Sequence, residues 1–453
     1  MHHDQGVLFP DSLMAEVKRR FHGVNHDFNG RERLYFDNAG GSYRLKAAVE
    51  RLARIDAIPD NAERIHAVAA YLKQVEAAGT ADVRAILNAQ GGSVYAALTA
   101  SGAMFDMVRA VAENVPGSNM VTTALEHPSS FDATALYAQR LGRELRVARS
   151  NPVTGGVDVD EIVRLVDQDT VLLNVIYASN ISGAKLDIEE IVRRARLVKP
   201  GLYIIVDAVQ HAPHGLIDLQ KTPVDGINIA PYKFFGCRGS GIAWLSDRAS
   251  LLPHHKLNGK APGFWDLGSS APWQFAVVSE IVDYVCWLGG LSGTAADGDG
   301  AARRALFERG MEAIALHERA LLSRLLGGSA AVAGLRNMPH VKVFLDAGDL
   351  ASRDLILAIG FDHLGHTQAV REYEKRGVIV YERVASSLYS KRMLDSFGLD
   401  GAVRVSPLHC NSAGDIDQFL RVTQELAETW SSRAAPADED DFLSQGDRSQ
   451  PSS

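Results

Sequence analysis

Cysteine is scarce. Three residues in 453, Cys237, Cys286 and Cys410, are too few and too scattered for a disulfide framework, and none has metal-ligand spacing. No block of basic residues offsets a formal charge of −8, so nucleic acid and anionic membranes are not expected partners. The opening Met1-His2-His3-Asp4-Gln5-Gly6 lacks the charged and apolar regions of a signal peptide, and no uninterrupted apolar run approaches transmembrane length. A cytoplasmic protein acting on small molecules is expected. Of 15 histidines, the pairs His254-His255 and His363/His366 are the local metal candidates, and neither has a carboxylate or thiolate at a recognised spacing. Metal binding is therefore not expected.

What is present is a soluble globular composition, 46% hydrophobic and 23% charged, on a chain long enough for two domains. Short β-branched runs alternate with amphipathic stretches: Met120–Thr123, Val171–Ile176, Tyr203–Val206, Gly226–Ala230 and Ile242–Leu245 read as strands. Ile188, Ile191, Val192, Ala195 and Val198 recur at helical spacing behind Asp187 as N-cap, with Glu190 placed to complete a capping box. Such alternation predicts an α/β fold with a mainly parallel sheet covered on both faces. Beyond residue 300 the pattern changes to longer helices, such as 301–326, with strands at 341–344 and 378–381, as in a smaller α+β domain.

In open α/β sheets a ligand lies outside the carboxyl ends of the strands, where His127, Asn180, Asp207 and Lys233 all fall. Lys233, in Asn228-Ile229-Ala230-Pro231-Tyr232-Lys233, follows the strand-ending Asp207 by 26 positions. A lysine held deprotonated can bind an aldehyde cofactor, and an aspartate can keep a pyridine nitrogen protonated. The plainer alternative is a solvated loop lysine and an ordinary strand end. Ser101-Gly102-Ala103-Met104 opens a helix whose free N–H groups suit a phosphate, although a tight turn into a packed helix needs glycine anyway. His127, before Pro128, either stacks on a ring and shuttles a proton or simply starts a helix. Asn180 reads as a hydrogen-bonding partner of a ring hydroxyl or as an Asx turn before Gly183. Gln210 is close enough to Asp207 to reach the same hydroxyl.

Taken together, in this order, these residues resemble the class V aminotransferases, specifically the cysteine desulfurase-like branch of fold type I pyridoxal-phosphate (PLP) enzymes. The resemblance runs from Leu34-Tyr35-Phe36-Asp37-Asn38-Ala39-Gly40 to Val403-Arg404-Val405-Ser406-Pro407-Leu408-His409-Cys410-Asn411. It implies that Lys233 carries PLP, Asp207 pairs with the pyridinium nitrogen, His127 stacks on the ring, and Asn180 and Gln210 contact the ring hydroxyl. Gly102, Ala103, Met104 and Tyr232 would lie around the phosphate. Arg404 would bind the α-carboxylate of an amino acid, with Asn38 and Asn180 nearby. Ser269 matches a phosphate ligand contributed by the neighbouring subunit, which implies a homodimer with shared sites. The implied layout is a segment 1–45 on the small domain, a large PLP domain 46–295, a small domain 296–432 and a disordered acidic tail 433–453.

Two departures stand out. Ala103-Met104 replaces the family's usual threonine, and Ala230-Pro231-Tyr232-Lys233 replaces Ser-x-His-Lys, so side-chain phosphate ligands are missing. The stretch Glu382–Ser390, where desulfurases carry a mobile-loop thiol, has no cysteine. The V-R-V-S ending resembles that of desulfurase-like enzymes that cleave or form carbon bonds, whose lysine motif is Trp-Tyr-Lys where this chain has Pro-Tyr-Lys; the resemblance implies a carbon–carbon or β-elimination lyase, with transamination or epimerisation as alternatives. A catalytically weak paralogue acting as a binding partner is the alternative from another class.

Overall fold

The apolar runs assemble into a seven-stranded sheet in the computed structural model of the chain, which describes residues 5–291 and 302–434. Its strands are β1 (Ser93–Ala97), β2 (Asn119–Thr123), β3 (Glu144–Ala148), β4 (Thr170–Ile176), β5 (Tyr203–Asp207), β6 (Gly226–Ile229) and β7 (Gly241–Leu245). Their spatial order is β1-β7-β6-β5-β4-β2-β3. Only β7 runs against its neighbours; the other six share one direction. Every residue of β2, β4, β6 and β7 is buried, because helices cover both faces and no side of a central strand meets water. Ile204 and Val206 pack into one layer while Ile205 packs into the opposite one, as a period of two requires.

Two strands of this sheet, β1 and β3, were not anticipated from the sequence, and β3 shows why. It lies at the sheet edge, and Glu144-Leu145-Arg146-Val147-Ala148 is buried only at its last residue, so its pattern is that of a half-wet edge. The helix Ile188–Val198 begins at Asp187, whose side chain accepts from Glu190 N at 3.0 Å. The reciprocal half of the expected capping box is missing, because the Glu190 carboxylate pairs with Arg193 instead, at 2.6 and 2.7 Å.

A second, antiparallel sheet comprises β8 (Val341–Phe344), β9 (Leu357–Phe361), β10 (Tyr381–Val384) and β11 (Gly401–Val405), in the order β8-β9-β11-β10. Its core includes Leu357, Ile359, Val403 and Val405 packed with Leu321, Phe419, Leu34 and Phe36. The N-terminal segment joins this body: Leu34–Tyr35 pairs in parallel with Val378–Ile379, and Asn38 N donates to Ser406 O at 3.0 Å. The helix Pro272–Leu291 is long and apolar enough to cross a membrane. Most of it is buried, packed against the helices Lys46–Asp56, Ala67–Leu87 and Arg303–Gly327. The final helix, Ala413–Ala434, extends past position 433, where the acidic tail was expected to begin. The rest of that tail, and the expected domain boundary at 295, lie outside the described residues.

Candidate active site

A cavity of about 360 Å³ opens at the carboxyl ends of the parallel strands, and His127, Asn180, Asp207, Gln210, Tyr232 and Lys233 all line it. The six come from four strand ends and the loops after them, so the doubly covered sheet itself brings them together. Lys233 closes a single 3-10 turn, Pro231–Lys233, that follows β6. The turn is fastened by Gly236 N donating to Pro231 O at 2.8 Å. Phe235 adopts φ 64°, a left-handed conformation that costs a bulky residue about 1–2 kcal/mol. Its ring packs against His409 and Phe21, and its N–H donates to Ser42 Oγ at 2.9 Å, so packing holds the strained turn that aims the lysine.

Burial and the nearby Arg404 guanidinium push the Lys233 amine down to about 8. An amine in that range is available as a nucleophile near neutral pH. Asp207 is buried, and among the described residues its carboxylate accepts one hydrogen bond, from Val209 N at 3.1 Å. Burial raises its carboxyl above the ordinary range, against the backbone bond and the charge of Lys233. Burial, helped by the charges of Lys233, Arg383 and Arg392, lowers His127 to about 3. Its Nδ1 accepts from Ser129 N at 3.2 Å and meets Ser129 Oγ at 2.7 Å. The ring is therefore neutral at pH 7, which suits stacking and makes it a weak proton carrier.

The phosphate end differs from the expectation. Ala103 and Met104 are fully buried in the core and do not line the cavity. The helix begins earlier than the sequence suggested, at Ala100, with Thr99 as N-cap accepting from Gly102 N at 3.0 Å. Leu98, Thr99, Ala100 and Ser101 are therefore the cavity wall, and the N–H groups of Ala100 and Ser101, in the helix's first turn, have no intrahelical partner. Gly241 allows the close approach on the other side: a Cβ there would lie 2.1 Å from Ala100 N. Arg238, Gly239 and Ser240 complete this wall. Ser269 is exposed and does not line the cavity of its own chain.

Arg404 projects from β11, buried, with Nη1 donating to Asn180 O at 3.2 Å and Nη2 to Asp37 Oδ1 at 2.5 Å. Asn38, expected near the substrate, is instead a brace. Its Nδ2 donates to Tyr35 O at 3.2 Å and Ser406 O at 3.1 Å, and its Oδ1 accepts from Tyr43 N at 3.2 Å. Asp37 beside it is the residue that meets the arginine. Thr99, Ser129, Arg238, Ser240 and Asp37 were not singled out by the sequence. Only Thr99 carried a readable signal, as a threonine directly before a helix start.

The aminotransferase class-V family profile matches residues 34–419. The chain belongs to that family. It is 25% identical over 307 residues to a probable cysteine desulfurase of Synechocystis, covering 61% of this chain and 70% of that protein. It is also 25% identical over 250 residues to a cysteine desulfurase of Yersinia pseudotuberculosis, covering 53% of this chain and 59% of that one. The apo structure of a cysteine desulfurase from Thermococcus onnurineus superimposes with a TM-score of 0.76 at 18% identity, over 92% of this chain and 98% of that chain. This class-V aminotransferase-family protein therefore has the fold type I architecture and is a PLP-dependent enzyme.

The cavity fits that cofactor on its own chemistry. Asn180 Oδ1, Gln210 Oε1 and Ser240 Oγ are buried without a hydrogen-bond partner, and all three residues line the cavity. Unmet buried polar atoms cost about 1–3 kcal/mol each, and a polar ligand relieves the cost. Asp207 likewise awaits a cationic N–H, which would restore its ionised form.

Proposed function

We propose that this enzyme breaks a carbon–carbon bond of an amino acid or eliminates its β-substituent, and does not form a persulfide. The observation that carries the reading is the state of the thiols. Cys237, Cys286 and Cys410 are all buried and unpaired. Burial raises each thiol, Cys286 to about 11, and none lines the cavity. A thiol that attacks substrate sulfur must be exposed and ionisable. Unpaired thiols also suit a reducing, cytoplasmic setting.

In this reading Lys233 would hold PLP, with Asp207 at its ring nitrogen, His127 against its face, Asn180 and Gln210 at its hydroxyl, and Ser101, Tyr232 and Ser240 around its phosphate. When bound, the cofactor supplies an electron sink for negative charge developing beside the amino group. The chain's own residues do the rest. Arg404 takes the α-carboxylate and fixes which substrate bond stands across the ring. Asp37 holds the guanidinium plane from behind, and Lys233 Nζ, with an amine near neutral poise, carries the proton. His127 stays neutral and keeps water from one face. The open phosphate end, where Leu98 is 79% exposed, supports a homodimer in which a second copy covers this rim and offers Ser269.

The test is an absorbance screen of purified protein against the common amino acids, with product analysis. The expected result is a yellow protein whose spectrum shifts with its substrate and which releases a carbon fragment or an eliminated β-group. Sulfide release from cysteine at the rate of the best substrate, with persulfide on the protein, would overturn the lyase reading. A colourless protein that refuses added PLP would overturn the enzyme assignment.

A further inference from the structure

We propose that the substrate is a dicarboxylic amino acid whose second carboxylate is gripped by Arg383, beside the α-carboxylate site at Arg404. This rests on the amino-acid reading above and adds a substrate class to it.

The placement follows from strand register. In the β10–β11 pair Tyr381 stands opposite Arg404, and Arg383 opposite Ala402. Side chains two apart on a strand share a face, and so do directly opposed residues. Arg383, Tyr381 and Arg404 therefore project from one face of the small sheet. Tyr381 lies between the guanidinium groups, 6.0 Å from that of Arg383 and 5.2 Å from that of Arg404. That face looks onto the strand ends of the large domain, since Arg404 reaches Asn180 O and the charge of Arg383 acts on both Lys233 and His127.

The two arginines differ in how their charge is met. Arg404 has Asp37. Arg383 is 6% exposed, and among the described residues no carboxylate pairs with it. Its Nη2 donates to the Tyr389 carbonyl at 3.0 Å, and its Nε is buried without a partner. The acid whose charge it feels, Asp37, is engaged by Arg404. A buried guanidinium without an anion is costly, and its fork geometry matches a carboxylate. A substrate with one carboxylate leaves that cost in place; a substrate with two removes it.

The experiment compares acids with their isosteric amides on the holoenzyme. Dissociation constants for aspartate against asparagine, and glutamate against glutamine, are read from the cofactor spectrum, and succinate and glutarate are titrated by calorimetry. In the wild type one acid should bind at least about tenfold tighter than its amide, as a charge-assisted pair implies. Arg383→Gln should bring that ratio to about one, and Arg383→Lys should restore part of it. Equal binding of acids and amides by the wild type would overturn the proposal, as would an unchanged ratio in Arg383→Gln. Both comparisons need only a coloured, shifting protein, so they can fail while the PLP assignment stands. If the protein never takes up PLP, calorimetry still decides, because succinate or glutarate binding that Arg383→Gln abolishes supports the grip and no binding by the wild type refutes it.

Discussion

The two ends of the proposed cofactor cavity, one read as holding the ring and the other the phosphate, are built differently. At the ring end Asp207, Asn180, Gln210 and Lys233 are each less than a tenth exposed, supplied by strand termini of a single sheet. At the phosphate end Thr99, Ser101 and Gly102 are exposed, and backbone N–H groups replace the threonine and histidine side chains of the family pattern. A ring held by buried charges is sensitive to any single deletion, because the low dielectric magnifies each contact and forbids water as a substitute. A phosphate held by a helix start spreads its contacts over groups that no side-chain mutation removes. The ring end should therefore govern turnover and the phosphate end should tune affinity.

The sharpest break of that contrast is Lys233→Ala, which should reduce turnover by at least about three orders of magnitude, since no other group supplies both the cofactor link and the proton. Borohydride treatment followed by peptide mapping should label Lys233 in the wild type and nothing in the variant. Normal turnover by Lys233→Ala would contradict the whole site. Asp207→Asn comes next. It removes the charge but not the shape, and should lower kcat by about a hundredfold or more while PLP remains bound. A kcat within threefold of wild type would mean that the ring nitrogen is not held as proposed.

The convergence of these residues on one cavity was legible because strand ends announce themselves. Asp207 closes an apolar run, and His127, Asn180 and Lys233 follow three more, so topology alone brings them to one crevice. At the proposed phosphate end the helix start was placed one residue late. Ser101-Gly102 looks like a helix start, yet Thr99 caps the helix and Ala103 and Met104 face the core. Asn38 lay inside a recognisable motif, but whether its amide faces a ligand or the carbonyls of Tyr35 and Ser406 depends on how two distant segments meet. Arg383 was legible only as one of several side chains expected around the pocket, with Tyr177 and Tyr389. That no carboxylate among the described residues meets its charge exists only in three dimensions.

A smaller effect concerns the titration of Lys233. Its amine falls to about 8 in the folded chain from an ordinary 10.5, so between those values the unfolded chain holds a proton that the folded one lacks. Apo-protein stability should therefore rise with pH across that window, and the full penalty of a buried cation should apply below it. Thermal melts of apo wild type and Lys233→Met check the sign: Lys233→Met should be the more stable below pH 8, with the gap closing towards pH 10.5. PLP capture should follow the neutral amine, slowing by about tenfold between its plateau and pH 7. A pH-independent gap would place the lysine's charge in solvent.

The mildest expected change tests the open end directly. Ser240 Oγ is buried and has no partner among the described residues; if a phosphate oxygen is the acceptor it lacks, Ser240→Ala should weaken PLP binding by about threefold to tenfold, one neutral hydrogen bond, with kcat at saturating cofactor little changed. Ser269→Ala distinguishes the source of the remaining contacts. Because Ser269 is exposed and away from its own chain's cavity, its loss should weaken PLP binding only if a second copy brings it there. Mixing Ser269→Ala with Lys233→Ala protein makes the dependence visible. A mixed dimer joins one Lys233 to an intact Ser269 from its neighbour, and should recover wild-type cofactor affinity in that single site. If Ser269→Ala binds PLP as the wild type does, the rim is covered by something other than this segment, and the backbone of the helix start carries the phosphate without help from a second chain.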